Sequence, residues 1–259
     1  MSVPDATTST GQTNTGTTTT APVALTYMFQ GVAGLVPRDE PQLVSSRYDE
    51  TVSVWSTKTG ITDAFVVLRD SSAPTSRSAE GDMSTAPLEV PSGEAWLVTD
   101  KDVGEPPPAS ATRVMWWRPD GRLWVVSNVG ISSVHLVELT LQIQAGSGVS
   151  FVLPDPGMTF VGTTRLARLR SVQQEWTLDG SNIGLAVTNG GLAAQIGSNP
   201  VEYITERIVD GMPGYVLTLA NGQLNVIWPT DDPDRWGSLF ISSLLVPRAD
   251  EIVSALVAR

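Results

Sequence analysis

The chain has 259 residues and carries 16 lysines and arginines against 27 aspartates and glutamates, a formal net charge of −11. That balance disfavours nucleic acid and anionic membrane, whose phosphates need a basic stripe; Lys58 and Lys101 are the only lysines, and the arginines are scattered. There is no cysteine, which excludes disulfides, thiolate metal sites and cysteine nucleophiles together, and no run reaches the roughly 18 apolar residues of a spanning helix.

Residues 1–22 are rich in threonine, serine and glycine, with almost nothing apolar to bury, and read as a flexible tail or a linker to something N-terminal. Ala21 to Val36 is uncharged but broken by Pro22, Gln30, Gly31 and Gly34, and it lacks the basic start of a signal peptide. The sequence at face value is therefore a cytosolic product or one separated from an upstream anchor. From Leu35 onward short β-type runs follow one another. Glu50 to Trp55 alternates, Ala64 to Leu68 is a continuous apolar run, and Glu94 to Thr99 is a further strand. Ser71 to Pro87 and the proline-rich Gly104 to Ser110 are expected to be surface loops.

Arg113 to Trp124 is the strongest hairpin signal. In Pro119-Asp120-Gly121 proline presets φ, aspartate bonds its own backbone and glycine accepts positive φ, so the flanking runs should pair. Ala220-Asn221-Gly222-Gln223-Leu224 repeats that register, again after a β-rich run from Tyr215 to Leu219, and suggests a duplication. After the first hairpin, Ser132-Ser133 can cap a helix with Val134, Val137 and Leu141 at helical spacing, although Leu139 to Ile143 also alternates like a strand. Gln144 to Ser150 is the best boundary. Arg165 to Trp176, Ile183 to Thr188 and Gly214 to Trp228 then read as strands, and Asp250 as the cap of a last helix with Ile252, Val253, Leu256 and Val257 on one face. The expected architecture is α+β and strand-dominated: two tandem repeats over residues 23–146 and 147–259, each a curved antiparallel β-sheet with a packed helix.

Trp117-Arg118-Pro119-Asp120-Gly121-Arg122-Leu123-Trp124-Val125-Val126-Ser127, followed by Gly130-Ile131-Ser132 and a helix, resembles the extracytoplasmic domains of bacterial membrane-anchored anti-sigma-factor-type regulators. These are similar in turn to the lipoprotein-carrier and sigma-regulator sensor folds. Leu219 to Leu224, with Val246 to Ala258 as its helix, is the second, weaker copy. The sequence departs from the family in having no spanning helix ahead of the domain and a long linker after Trp228. The resemblance implies a curved antiparallel sheet covered by helix on one side, and it carries over no catalytic residue and no cofactor.

Motifs with chemical potential have bland alternatives. Lys58-Thr59-Gly60 resembles a strand of the penicillin-binding enzymes, but neither lysine has serine three residues before it. His135 is the only histidine and reads as a helix surface residue. Asp231, Asp232 and Asp234 form the one dense carboxylate cluster, an acidic loop with calcium as the outside alternative, interrupted by Pro233. Asp155 with Glu175, or Glu202 with Glu206, are unremarkable as acid and base pairs, and Gly190-Gly191 and Gly146-Ser147-Gly148 fit no phosphate loop. Trp116 and Trp117 are adjacent in a strand and so point to opposite faces, with Trp124 across the turn. An exposed tryptophan beside Arg113, Arg118 and Arg122 would anchor a protein, peptide or sugar, whereas aromatic cross-strand pairs equally serve a core. The candidate ligand-binding residues are accordingly Trp116, Trp117, Trp124, Arg118 and Arg122. The leading expectation is a non-enzymatic, extracytoplasmic or cell-surface module that recognises a protein, peptide or envelope ligand, with room for a homo-oligomer. The competitors are a structural assembly protein of a bacterial virion or tail, and a hydrolase.

Overall fold

The computed structural model describes residues 27–45, 50–57, 60–72, 83–100, 112–146, 150–166, 170–197, 201–219, 221–232 and 235–258. The threonine-rich start, Lys58-Thr59 and the proline-rich 104–110 stretch lie outside them. The strands come first as β1 (Tyr27–Phe29), β2 (Val36–Pro37), β3 (Gln42–Ser45), β4 (Thr51–Thr57), β5 (Gly60–Ser72), β6 (Met83–Leu88), β7 (Glu94–Asp100), β8 (Thr112–Trp117) and β9 (Arg122–Val129), followed by helix α1 (Ser133–Gln142). Then come β10 (Gln144–Ala145), β11 (Phe151–Val152), β12 (Met158–Arg165), β13 (Arg170–Leu178), β14 (Ser181–Asn189) and helix α2 (Gly191–Gly197). The chain closes with β15 (Val201–Val209), β16 (Met212–Leu219), β17 (Leu224–Pro229), β18 (Arg235–Ile241), a 3-10 turn over Ser243–Arg248, helix α3 (Ala249–Ser254) and β19 (Leu256–Ala258). The protein is strand-dominated, and its sheets are antiparallel.

Among the described residues one large sheet runs β12-β4-β5-β9-β8-β7-β6 and a second runs β15-β16-β17-β18-β14-β13-β2, with β3 also on β13; β1-β19 and β10-β11 form two-stranded ladders. Set side by side, β4-β5-β9-β8-β7-β6 and β13-β14-β18-β17-β16-β15 have the same strand order. The strand leading into each series pairs with the first strand of the other: β3 lies on β13, and β12 lies on β4.

Among the described residues, three cores hold these layers. On the outer face of the first sheet, Trp55, Val66, Leu68, Trp116, Trp124 and Val126 pack against Leu136 and Leu139 of α1. On the outer face of the second, Ile183, Leu185, Trp228, Leu239 and Ile241 pack under Ile252 and Val253 of α3, with Tyr27 and Phe29 of β1 set edge-on against Trp228 and Trp176. Between the sheets, Val52, Val54, Phe65 and Val67 meet Ile204, Leu217 and Ile227, and α2 inserts Ala193 and Ile196. At about 1.5–3 kcal/mol for each large apolar side chain fully removed from water, each layer is a substantial contributor to stability.

Several sequence expectations are corrected. The alternation in β4 suggested one wet face, yet Thr51 through Ser56 are all buried, because Trp55 faces the α1 layer while Val52 and Val54 face the second sheet. Ser53 meets the burial with a 2.6 Å hydrogen bond to the Thr163 hydroxyl. Helix α1 forms with Ser132 as its cap, accepting from the His135 amide, but Val134 is 72% exposed and Leu141 is exposed too. Val137 packs against the core as expected, but the fully buried face is Leu136, Leu139 and Thr140, a second series at helical spacing that Ile131 and Ile143 extend into one longer apolar stripe. Part of the expected loop from Ser71 to Pro87 is strand: β5 runs through Ser72, and β6 takes Pro87 at the sheet edge, where a missing N–H costs no ladder bond. At the C-terminus Asp250 sits inside the first turn of α3, with Arg248 at the cap position, and Leu256-Val257 leave the helix to pair with β1.

Both turns form as expected, and in the same way. Gly121 (φ +78°) and Gly222 (φ +74°) occupy the left-handed position, and the Asp120 and Asn221 carboxamide or carboxylate oxygens accept from the amides of Arg122 and Gln223. Their places differ, however. The first joins β8 to β9, whereas the second joins β16 to β17, and the shared strand order aligns β8-β9 with β17-β18. The likeness between the two turns is one of turn chemistry, which recurs wherever a three-residue hairpin loop needs a left-handed residue at its end.

Candidate functional site

The tryptophan and arginine residues of the first hairpin divide between two faces. Trp116 and Trp124 are only 2% and 4% exposed, stack edge-to-face at 5.7 Å, and belong to the core under α1. The Trp116 indole N–H donates to the Ser92 carbonyl at 2.8 Å, and Trp124 meets Phe151 edge-on. Arg118 lies over both rings, 4.3 and 4.4 Å from their centroids. Arg122 is held by Asp70, with Nε and Nη2 each 2.9 Å from a carboxylate oxygen. Trp117 is half-buried on the opposite face of β8. The structure thus brings Trp116, Trp124 and Arg118 together as a packed stack that closes the hairpin, and the two ring faces are not presented to solvent.

Other candidates are placed one by one. His135 is exposed on α1, 3.2 Å from Glu138. Asp155 caps its own turn through the Gly157 amide, and Glu175 pairs with Arg38 at 2.7 Å. Asp232 pairs with Arg235, and Asp234 is outside the described residues. Among the described residues no group of three or more potential ligands gathers.

The feature the sequence did not reveal is a cleft of about 740 Å³ lined by residues of both sheets and of α2. Its floor follows from register. In antiparallel pairs directly opposed residues share a face. Gln173 opposes Ala186, which opposes Ser238; Glu175 opposes Gly184, which opposes Phe240, and Phe240 opposes Asn225. The middle strand therefore contributes almost no side chain, and Gly184 and Ala186 form a trough between the polar rows on β13 and the residues of β17 and β18. The rows are ordered by their own bonds: Gln173 donates to the Ser171 hydroxyl at 2.6 Å, Ser238 to Asn225 at 2.7 Å, and Glu175 is held by Arg38.

The opposite wall comes from the first sheet and from α2. It includes Arg69 of β5, Glu50, Leu166, and Ala194 and Gln195 of α2. The Leu166 amide bonds the Glu50 carbonyl at 2.7 Å, which fixes the chain that carries this carboxylate. Burial holds the Arg69 guanidinium below its ordinary value, and the Glu50 carboxylate acts in the opposite direction. Since a guanidinium does not give up its proton near neutrality, Arg69 stays a half-buried cation with Glu50 as a countercharge. The arrangement has the chemistry of a recognition site: a half-buried cation beside a trough rich in amides and hydroxyls.

Compared with known proteins, the chain matches no family model, no curated protein and no solved structure.

Proposed function

We propose that this protein is a non-enzymatic binding or sensing module that takes its ligand in the cleft between the two sheets. The observation that carries the reading is Arg69, a half-buried cation facing an ordered polar trough of about 740 Å³. The fold is read here as two tandem copies of one α+β unit, supported by the shared strand order and by the reciprocal placement of β3 and β12. In that reading the cleft is a product of the duplication, because its floor belongs to one copy and its cation to the other. Display outside a bacterial cell follows from the family resemblance of the first hairpin.

The test is a thermal-shift screen of short peptides, oligosaccharides and envelope fragments against the wild-type protein and Gly184→Leu. A β-carbon at Gly184 makes only an ordinary contact with Phe240, at 3.5 Å, so the leucine fills the trough without straining the strand. Ligands that raise the wild-type Tm should leave that of Gly184→Leu unmoved. Equal shifts in both proteins would place binding elsewhere.

An assembly protein is the second reading, favoured by exposed apolar side chains on the end strands of the two large sheets: Phe160 of β12, 51% exposed, and Tyr203 and Ile208 of β15. Mass by light scattering across a concentration series separates the two. A constant monomer supports the binding module; a discrete ring or a growing polymer supports assembly.

A further inference from the structure

The two six-strand series meet by different surfaces. In the inter-sheet core the first series contributes Val54 of β4, Val67 of β5 and Val129 of β9, while the second contributes Ile204 of β15, Leu217 of β16 and Ile227 of β17. In chain order these are the first, second and sixth strands of one series against the third, fourth and fifth of the other. The contact is therefore heterologous, and each series keeps an inner surface of the kind its neighbour uses. For the second series that surface is β13, β14 and β18, the cleft floor; for the first it is β6, β7 and β8.

The β6-β7-β8 surface is built like the one already in contact. Trp116 and Trp228 each lie one residue from the end of their strand and face an outer core, which sets β8 in register with β17. Met115 then takes the place of Ile227, and their cross-strand partners are Trp96 and Tyr215; two residues further, Val98 takes the place of Leu217. Val98 is buried and Trp96 and Met115 are half-buried, yet none of the three belongs to the cores among the described residues. The same register puts Gly184 where the first sheet has Val67, so the floor is hollow where the matching side chain is larger, tryptophan for tyrosine.

Resting on the two-copy reading of the fold and on the assembly reading, we infer that the protein associates head to tail: the β6-β7-β8 surface of one copy enters the cleft of the next, and the cleft's occupant is a second copy of this chain. Each added copy brings a new cleft and a new surface, so the series closes into a ring or grows as a polymer. Gln173 and Glu175 stand where the first sheet has Val52 and Val54, which makes this contact more polar than the one within the chain and its extent dependent on concentration.

The experiment is light scattering of the full-length protein and of two variants, alone and mixed. Trp96→Glu keeps only the cleft and Gly184→Leu only the opposing surface, so each alone should stay at the mass of one chain, whereas their equal mixture should reach two chains and stop. Each variant must keep the wild-type circular dichroism spectrum; Met115→Glu and Ala186→Leu replace one that does not. Ile208→Lys, on the end strand β15, should assemble as wild type does. Assembly that survives both single variants, a mixture that stays at one chain, or loss of assembly in Ile208→Lys overturns the head-to-tail contact while assembly itself stands. A wild-type monomer at every concentration overturns the assembly reading, and this inference with it, and leaves the cleft to a ligand of another kind.

Discussion

Arg118 shows how a single charged side chain is recruited into packing. Its guanidinium covers both Trp116 and Trp124, and its Nε is buried without a hydrogen-bond partner among the described residues, so the two ring faces supply the compensation. Trp124→Ala removes one ring from the stack and the edge contact to Phe151, and should cost about 3–5 kcal/mol in urea unfolding. Arg118→Ala should cost about 0.5–2 kcal/mol. A loss no larger than for an exposed substitution in either variant would mean that the stack does not hold the hairpin. Tyr27, against Trp228, offers a test by pH. Burial raises its pKa above the ordinary 10.0, with Asp210 and Asp231 adding to the effect, while the Trp228 contact acts against it. A raised value means that the associated stability is complete below pH 10 and is lost as pH climbs toward the folded value. Tyr27→Phe should therefore show a flatter fall in Tm above pH 10 than wild type. Tyr215, raised by burial and by Glu206, keeps some of the slope. Superimposed alkaline profiles would remove Tyr27 from the account.

At the level of the element, α1 separates what local sequence can specify from what it leaves open. Its start was legible because capping is a short-range event: Ser132 must lie beside the amides it satisfies. The centre of the packed face was not, since Val134, Val137 and Leu141 compete with Leu136, Leu139 and Ile143 at helical spacing, and of the first series only Val137 reaches the core. Leu136→Ala should cost about 2–5 kcal/mol and Val134→Ala less than about 0.5 kcal/mol; the reverse order in thermal or urea unfolding would contradict the observed rotation of the helix. β4 was misread for a related reason. Alternation reports one covered face, and only the arrival of a second sheet, more than 100 residues away in sequence, covers the other. The cleft was illegible on the same ground. Gly184 and Ala186 are unremarkable in a strand, and Arg69 is one arginine among several, until pairing and layer packing set them across from each other. The tryptophans drew attention because they are large and clustered, which is equally what a core requires.

For the whole molecule, the exchange of β3 and β12 makes each sheet depend on chain from the other half of the sequence. Removing either strand from its host would uncover an edge, and the inter-sheet core of Val52, Val54, Ile204, Leu217 and Ile227 would be opened by separating the sheets. Two independently folding halves should unfold in two steps; two halves locked in this way should unfold in one. Urea denaturation followed by tryptophan fluorescence and by far-UV circular dichroism should give coincident midpoints. Leu136→Ala in the outer core of the first sheet and Ile252→Ala in that of the second should each move the whole transition to lower urea without splitting it. A biphasic curve, in which each substitution moves only one phase, would show that the exchanged strands do not couple the sheets. The cleft would then join two bodies free to shift against each other, and Arg69 would face the polar trough only part of the time. A single transition in both variants keeps cation and trough in fixed register, the preorganisation under which a half-buried guanidinium gives a ligand affinity.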